Sequence, residues 1–144
     1  TVISIDANNL AQLQVEAEKA YPYEACGLLV GHLTVQGDVE VVRVVPSPNI
    51  AAEKSARKDR FEIDPQLRFD VMRACVGRVD DIVGHYHSHP DHPAKPSTAD
   101  FSMAYDKEYI WVIAAVPQGR VSHVTAHRLN EEGDAFVEIP LKVK

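Results

Sequence analysis

The chain has 144 residues, 45% hydrophobic and 25% charged, enough for one globular domain around one core. Its net charge of −6 at pH 7 argues against nucleic acid as the main partner. The longest apolar run, residues 110–116, is too short to cross a bilayer, and residues 1–6 lack the basic start and long apolar stretch of a signal peptide. Two cysteines, Cys26 and Cys75, have neither metal nor redox spacing, which fits a reduced, cytoplasmic chain with both thiols buried.

Residues 6–21 read as an amphipathic helix in which Leu10, Leu13, Ala17 and Ala20 share one stripe. Asp6 or Asn8 offers the cap, and Pro22 ends it. Residues 26–30 form a short apolar run that predicts a buried strand, and 33–35 with 39–45 predict a hairpin turning through Gln36, Gly37 and Asp38. Residues 46–60 read as a loop whose four basic residues, Lys54, Arg57, Lys58 and Arg60, outweigh Glu53 and Asp59. Such a loop is as readily a solvated surface as a docking site. Asp64 and Pro65 then supply a cap and a first helical position. Leu67, Val71, Ala74 and Cys75 make this helix's buried stripe, and Gly77 stops it.

Residues 81–86 predict a strand, 90–96 a proline-rich loop, and Ser97 the start of a helix reaching about Lys107 with Phe101 and Ala104 turned inward. Residues 109–116 are nearly all apolar and predict a central strand covered on both faces. Residues 117–119 form a turn. Residues 121–129 alternate without a clean apolar face, setting Val121, His123, Thr125 and His127 on one side. After a turn at 130–134, residues 136–141 predict a last strand. Strands mixed with three helices point to an α/β or α+β class and one domain spanning 1–144, with no repeat, low-complexity tract or linker.

The chemistry concentrates at the end of the 81–86 strand. His87 and His89 alternate with Ser88 and project to one face, and Asp100, three residues after a Ser with N-cap character, falls in the first turn of the next helix. Two imidazoles and one carboxylate leave a fourth position of a tetrahedral zinc open, the arrangement of a catalytic site and not of a closed structural one. Each residue has a plain alternative when taken singly. Two histidines at i and i+2 also occur as satisfied core polars, and Ser97 with Asp100 is what a capped helix start shows. The same set could serve as the facial triad of a non-haem iron oxygenase, but those sites usually sit in all-β barrels with the carboxylate close after the first histidine. His85 shares the strand face and is a candidate neighbour of the ligands, His92 reads as loop surface, and His32, His123 and His127 carry no spacing signal.

With Glu24 upstream, the run His87-Ser88-His89, seven residues, Ser97, two residues, Asp100 resembles the JAMM motif of the MPN-type zinc metalloproteases. Residues 24–31 (EACGLLVG) are similar to that family's first strand, and residues 60–65 (RFEIDP) to a segment of its small bacterial members. The resemblance implies a mixed, partly curled sheet flanked by helices, similar in layout to cytidine deaminases, whose own Pro-Cys-x-x-Cys pair is absent here. It implies one Zn2+ per chain on His87, His89 and Asp100. It also implies Glu24 as general base and then general acid, and Ser97 as hydrogen-bond donor to the oxyanion. Ser88, facing away from the ligands, is expected to be structural. The implied activity is hydrolysis of the amide bond after the C-terminal Gly-Gly of a ubiquitin-like or sulfur carrier protein. The neighbouring alternative is a deconjugating isopeptidase of archaeal or antiphage type. A catalytically silent binding module is the reading that the intact motif opposes. The oligomeric state stays open, with a homodimer among the options.

Overall fold

The run of residues 110–116 is a central strand in fact: β5 (Ile110–Val116) is buried at every position. A computed structural model describes all residues 1–144 and places eight strands in one mixed sheet. The others are β1 (Ile3–Ile5), β2 (Cys26–Leu33), β3 (Val39–Ser47), β4 (Asp81–Pro90), β6 (His123–Leu129), β7 (Phe136–Ile139) and β8 (Leu141–Val143). Their order is β7-β6-β5-β4-β2-β3-β1-β8, with β4–β5, β1–β3 and β1–β8 parallel and the other pairs antiparallel. Pro140 alone separates β7 from β8, yet these strands occupy opposite edges. The sheet must therefore curl until its two edges meet, and the Ile3 N–H donates to the Pro140 carbonyl at 2.9 Å across the join.

One face of the sheet packs on α1 (Ala7–Ala20), whose Asp6 cap accepts from the Asn9 N–H. Leu13 and Ala17 bury there with Ile3, Ile5, Leu29, Tyr86, Val112 and Val116 in a sixteen-residue core. The other face packs on α3 (Pro65–Cys75), through Val71 and Cys75 against Cys26, Leu28, Val30 and Trp111. Alternation along β4 decides which face does chemistry: Tyr86 goes to the first core, and His85, His87 and His89 point to the second. No helix is long and apolar enough to cross a membrane.

Several predicted boundaries change. The short 26–30 run extends to Leu33 as one strand, β2, kinked by a bulge between Val30 and Gly31; of the hairpin's expected first arm only Leu33 is strand, and Val35 lies in the turn. Residues 46–60 are not a loop throughout: β3 continues to Ser47, and a fourth helix, α2 (Ile50–Ser55), follows on the Asn49 cap. The last helix, α4 (Thr98–Met103), stops well short of Lys107. Ala104 is already extended, so Phe101 is 40% exposed instead of turned inward. Ala74 is exposed because Val71 and Cys75, four apart, set the buried line of α3 and leave Ala74 on its shoulder. The last strand breaks at Pro140, which cannot donate to a ladder.

β4 can lie between β2 and β5 only because Gly84 carries no side chain. A Cβ there would run into the Ile110 carbonyl oxygen, a backbone atom that cannot rotate away. Gly84→Ala is expected to cost about 1–3 kcal/mol of stability, read as a lower urea midpoint at unchanged slope. An unmoved midpoint would mean that the β4–β5 pairing has room the structure does not show.

Candidate metal centre

His87 and His89 stand on a strand clamped from both sides, by Cys26 of β2 opposite His87 and by Ile113 and Ala115 of β5 alongside. Asp100 reaches them from the N-terminus of α4 through a capping box. The Asp100 N–H donates to Ser97 Oγ at 3.0 Å, and the Ser97 N–H donates to Asp100 Oδ2 at 2.9 Å. The two Nε2 atoms lie 3.1 Å apart, and each lies 3.2 Å from Asp100 Oδ2. Ligand atoms around a tetrahedral ion with bonds of about 2.0 Å sit about 3.3 Å apart, so this near-equilateral triangle has the size of one face of such a tetrahedron. His89 Nδ1 lies 2.8 Å from the Pro93 carbonyl, an acceptor only. The proton therefore belongs on Nδ1, and the Nε2 lone pair points to the centre.

The three residues are at most 4% exposed. Burial pushes the Asp100 carboxyl up, but its contacts with the His87 and His89 rings overcome it and hold that acid well below its ordinary value. Burial lowers His87; it also opposes protonation of His89, where the Asp100 contact prevails and raises the group. The donor set is thus two nitrogens and one ionised oxygen with no thiolate, a set that suits zinc and other divalent first-row ions.

Glu24 precedes β2 and is 5% exposed, with Oε1 lacking any hydrogen-bond partner. Burial, the largest cause, pushes its carboxyl up to about 8, the His89 charge pulling down and the Asp100 charge pushing up. Three bonds fix its backbone. The Ala25 N–H donates to Ser88 Oγ at 2.8 Å, the Ser88 N–H to the Ala25 carbonyl at 3.1 Å, and Asn49 Nδ2 to the Glu24 carbonyl at 2.9 Å. Ser88, between the two histidines, thus turns to the other face and holds Glu24's neighbour. Ser97 is exposed; its Oγ accepts the cap bond, which leaves the hydroxyl proton free to donate outward.

The sequence profile of the prokaryotic homologs of the JAB domain matches residues 6–129. The chain belongs to that family. It is 35% identical to the desampylase of Haloferax volcanii over 85% of this chain and 80% of that one. It is 28% identical to the CysO-cysteine peptidase of Mycobacterium tuberculosis over 99% of this chain and 91% of that one. A solution structure of a protein from Desulfitobacterium hafniense superposes with a TM-score of 0.82 at 25% identity, covering 99% of this chain and 92% of the other. The family and fold expected from the motif are those found.

In this JAB-family chain two supports of the site escaped the sequence reading. Asn49 Oδ1 accepts from the N–H groups of Ala51, Ala52 and Glu62, while Nδ2 donates to the Glu24 and Arg60 carbonyls. One side chain thus ties Glu24 to α2 and to the 60–62 segment. His127 Nε2 lies 2.8 Å from Thr125 Oγ1, which donates to the Ala94 carbonyl at 2.9 Å and anchors the loop that also orients His89. The signal of this second support was the alternation of β6, which sets Thr125 and His127 on one face; Asn49 gave none. His85 is 3% exposed, and its Nε2 has no partner. The basic residues at 54–60 are largely neutralised locally: Lys54 pairs with Glu62, and Arg57 and Arg60 both pair with Asp59.

The Glu24 carboxyl carries a signed pH dependence. A folded-state value of about 8 against an ordinary 4.5 gives stability that is complete below 4.5 and lost as pH rises toward 8. In protein stripped of metal, Glu24→Gln removes that loss. Its Tm advantage over the parent is expected to widen steadily between about pH 4.5 and 8. A gap that stays constant across this range would place the carboxyl in water.

Proposed function

We propose that this protein is a zinc-dependent peptidase that hydrolyses the amide bond after the C-terminal Gly-Gly of a ubiquitin-like or sulfur carrier protein, in a reducing cytoplasm that keeps Cys26 and Cys75 as free thiols. The observation that carries this reading is the convergence of the His87, His89 and Asp100 ligand atoms beside a buried carboxyl with a partnerless oxygen. A structural site would be closed by a fourth protein ligand, and here no fourth ligand atom joins the three. Zinc held there supplies Lewis acidity, polarising a scissile carbonyl and bringing the pKa of water toward 7.

The chain's own groups do the rest. Glu24, buried before β2 with Oε1 free of any hydrogen-bond partner, takes the proton of the attacking water as carboxylate and delivers it to the departing amine. Ser97 donates its free hydroxyl proton to the oxygen that gains charge during attack. The names of both relatives, a desampylase and a CysO-cysteine peptidase, fit the reading. A deconjugating role differs only in the amine that leaves. The ion pairs at 54–62 leave Lys58 unpaired and two arginines sharing Asp59, so the loop keeps a small basic excess.

As purified, the protein is expected to hold about one zinc per chain, and His89→Ala is expected to lose metal and activity together. Full zinc occupancy in His89→Ala would discard the ligand set. Glu24→Gln is expected to keep its zinc and lose at least about 100-fold in kcat. Ser97→Ala is expected to keep zinc and lose about 100-fold in kcat, with a lower Tm as well because the cap bond goes with the hydroxyl. Intact mass after incubation with ubiquitin-like proteins extended beyond Gly-Gly reads the cut. Equal turnover by Glu24→Gln and the parent would move proton transfer to another group.

A further inference from the structure

Beyond the metal centre, on the same side of the sheet, a cavity of about 780 Å3 opens between α2, α3 and the segment after α4. Phe61, Ile63, Tyr109 and Trp111 form its walls, and the half-exposed Met72 and Met103 stand at its mouth. His85 lines the inner end of the cavity, its ring 4.3 Å from Trp111, 5.1 Å from Phe61 and 5.4 Å from His87, the first of the triad along β4. Two residues of strand advance about 7 Å, so the cavity begins one side-chain repeat back from the first ligand.

Glu24 lies toward the opposite end. Its neighbour Ala25 is bonded to Ser88 in both directions, and its charge acts on His89. Along β4 the group that protonates the leaving amine therefore stands at the His89 end and the cavity at the His85 end, with only the Arg60 backbone, joined to that of Glu24 through Asn49, between them on the flank; this puts the cavity on the acyl side of the scissile bond. Charges at its lip, Arg60 and Arg68 against Glu62, Asp81 and Asp106, leave one carboxylate in excess, and ten of its seventeen lining residues are hydrophobic, so selection there is by apolar shape and against acidic side chains.

We infer that this cavity is a specificity pocket for a large apolar side chain, leucine or phenylalanine, at the residue immediately before the substrate's Gly-Gly. In an extended tail the first and third residues before the scissile bond point the same way and lie about 7 Å apart, which matches the step from His87 to His85. The glycines cross the crowded span where Phe61 stacks on His87 at 4.3 Å, and the third residue drops its side chain among the aromatic walls. The register rests on the peptidase reading; the binding does not require cleavage.

Trp111 is the chain's one tryptophan and lines the cavity, so its fluorescence reports occupancy. Zinc-loaded full-length Glu24→Gln protein is titrated with peptides ending in Ala-X-Gly-Gly, X being Leu, Phe, Ala or Asp. Leu and Phe are expected to shift the emission and bind at least about 10-fold tighter than Ala, with Asp weaker still. Ala-Leu-Gly-Gly is expected to outbind Leu-Ala-Gly-Gly. Ala51→Phe, which puts a ring into the cavity, is expected to bring the Leu-to-Ala ratio near one. In the active parent, kcat/KM for tails extended beyond the second glycine is expected to follow the same order. Equal affinity for Leu and Ala, or no binding by any peptide, overturns the pocket. Binding that follows X while the zinc-loaded parent cuts none of the tails upholds the pocket and overturns the peptidase reading.

Discussion

One oxygen atom organises this structure. Asp100 Oδ2 lies within 3.2 Å of both imidazole Nε2 atoms and accepts the Ser97 N–H besides. Holding it there explains an element that packing would not sustain. α4 has six residues, and Asp100 is its only buried one, so it gains little from an apolar face. A helix that short is marginal in water. Its persistence comes from the capping box and from the contacts its carboxylate makes, and the site holds the helix as much as the helix holds the site. The loop before it is anchored in the same way, with consecutive carbonyls, Pro93 and Ala94, bonded to His89 and Thr125.

Glu24 represents the opposite bargain. A carboxyl with an unpartnered oxygen is unfavourable in a folded interior, and a neutral amide at that position would suit the metal-free fold better. Two extensive apolar clusters on the two faces of the sheet carry that burden, together with the five hydrogen bonds of Asn49. Stability is given up at one buried carboxyl, as it is where a site needs a group that packing would not choose.

The parts of the fold that were legible in the sequence are those whose periodicity is local. α1, α3 and β5 announce themselves by spacing, by caps at Asp6 and Asp64, and by an unbroken apolar run. The convergence of His87, His89 and Asp100 was legible because a strand alternates and a capping box fixes the third residue of a helix. What stayed hidden depends on distant partners. α2 exists because Asn49 finds Glu62, Arg60 and Glu24 in space, and β1 is three residues that become a strand only between β3 and β8. Phe101 was expected inside because the helix was expected to continue. With α4 ended at Met103 its ring stays 40% exposed and meets the edge of Phe136 at 6.1 Å. Thr125 and His127 were visible as an alternation with no apolar face, a pattern whose meaning comes only from the loop they meet.

The curl of the sheet also sets the order in which the molecule can assemble. Ile3 needs Val39 on one side and Leu141 on the other, so the earliest strand in the chain waits for the latest. Such pairings span almost the whole sequence, and chains dominated by them fold slowly because loop closure precedes the reward. Until Leu141–Val143 docks, β1 presents one unpaired edge, and an unpaired edge in a half-folded chain invites pairing with another molecule. Pro140 works against that outcome: by turning the chain directly from β7 into β8, it delivers the closing strand as soon as its neighbour has formed.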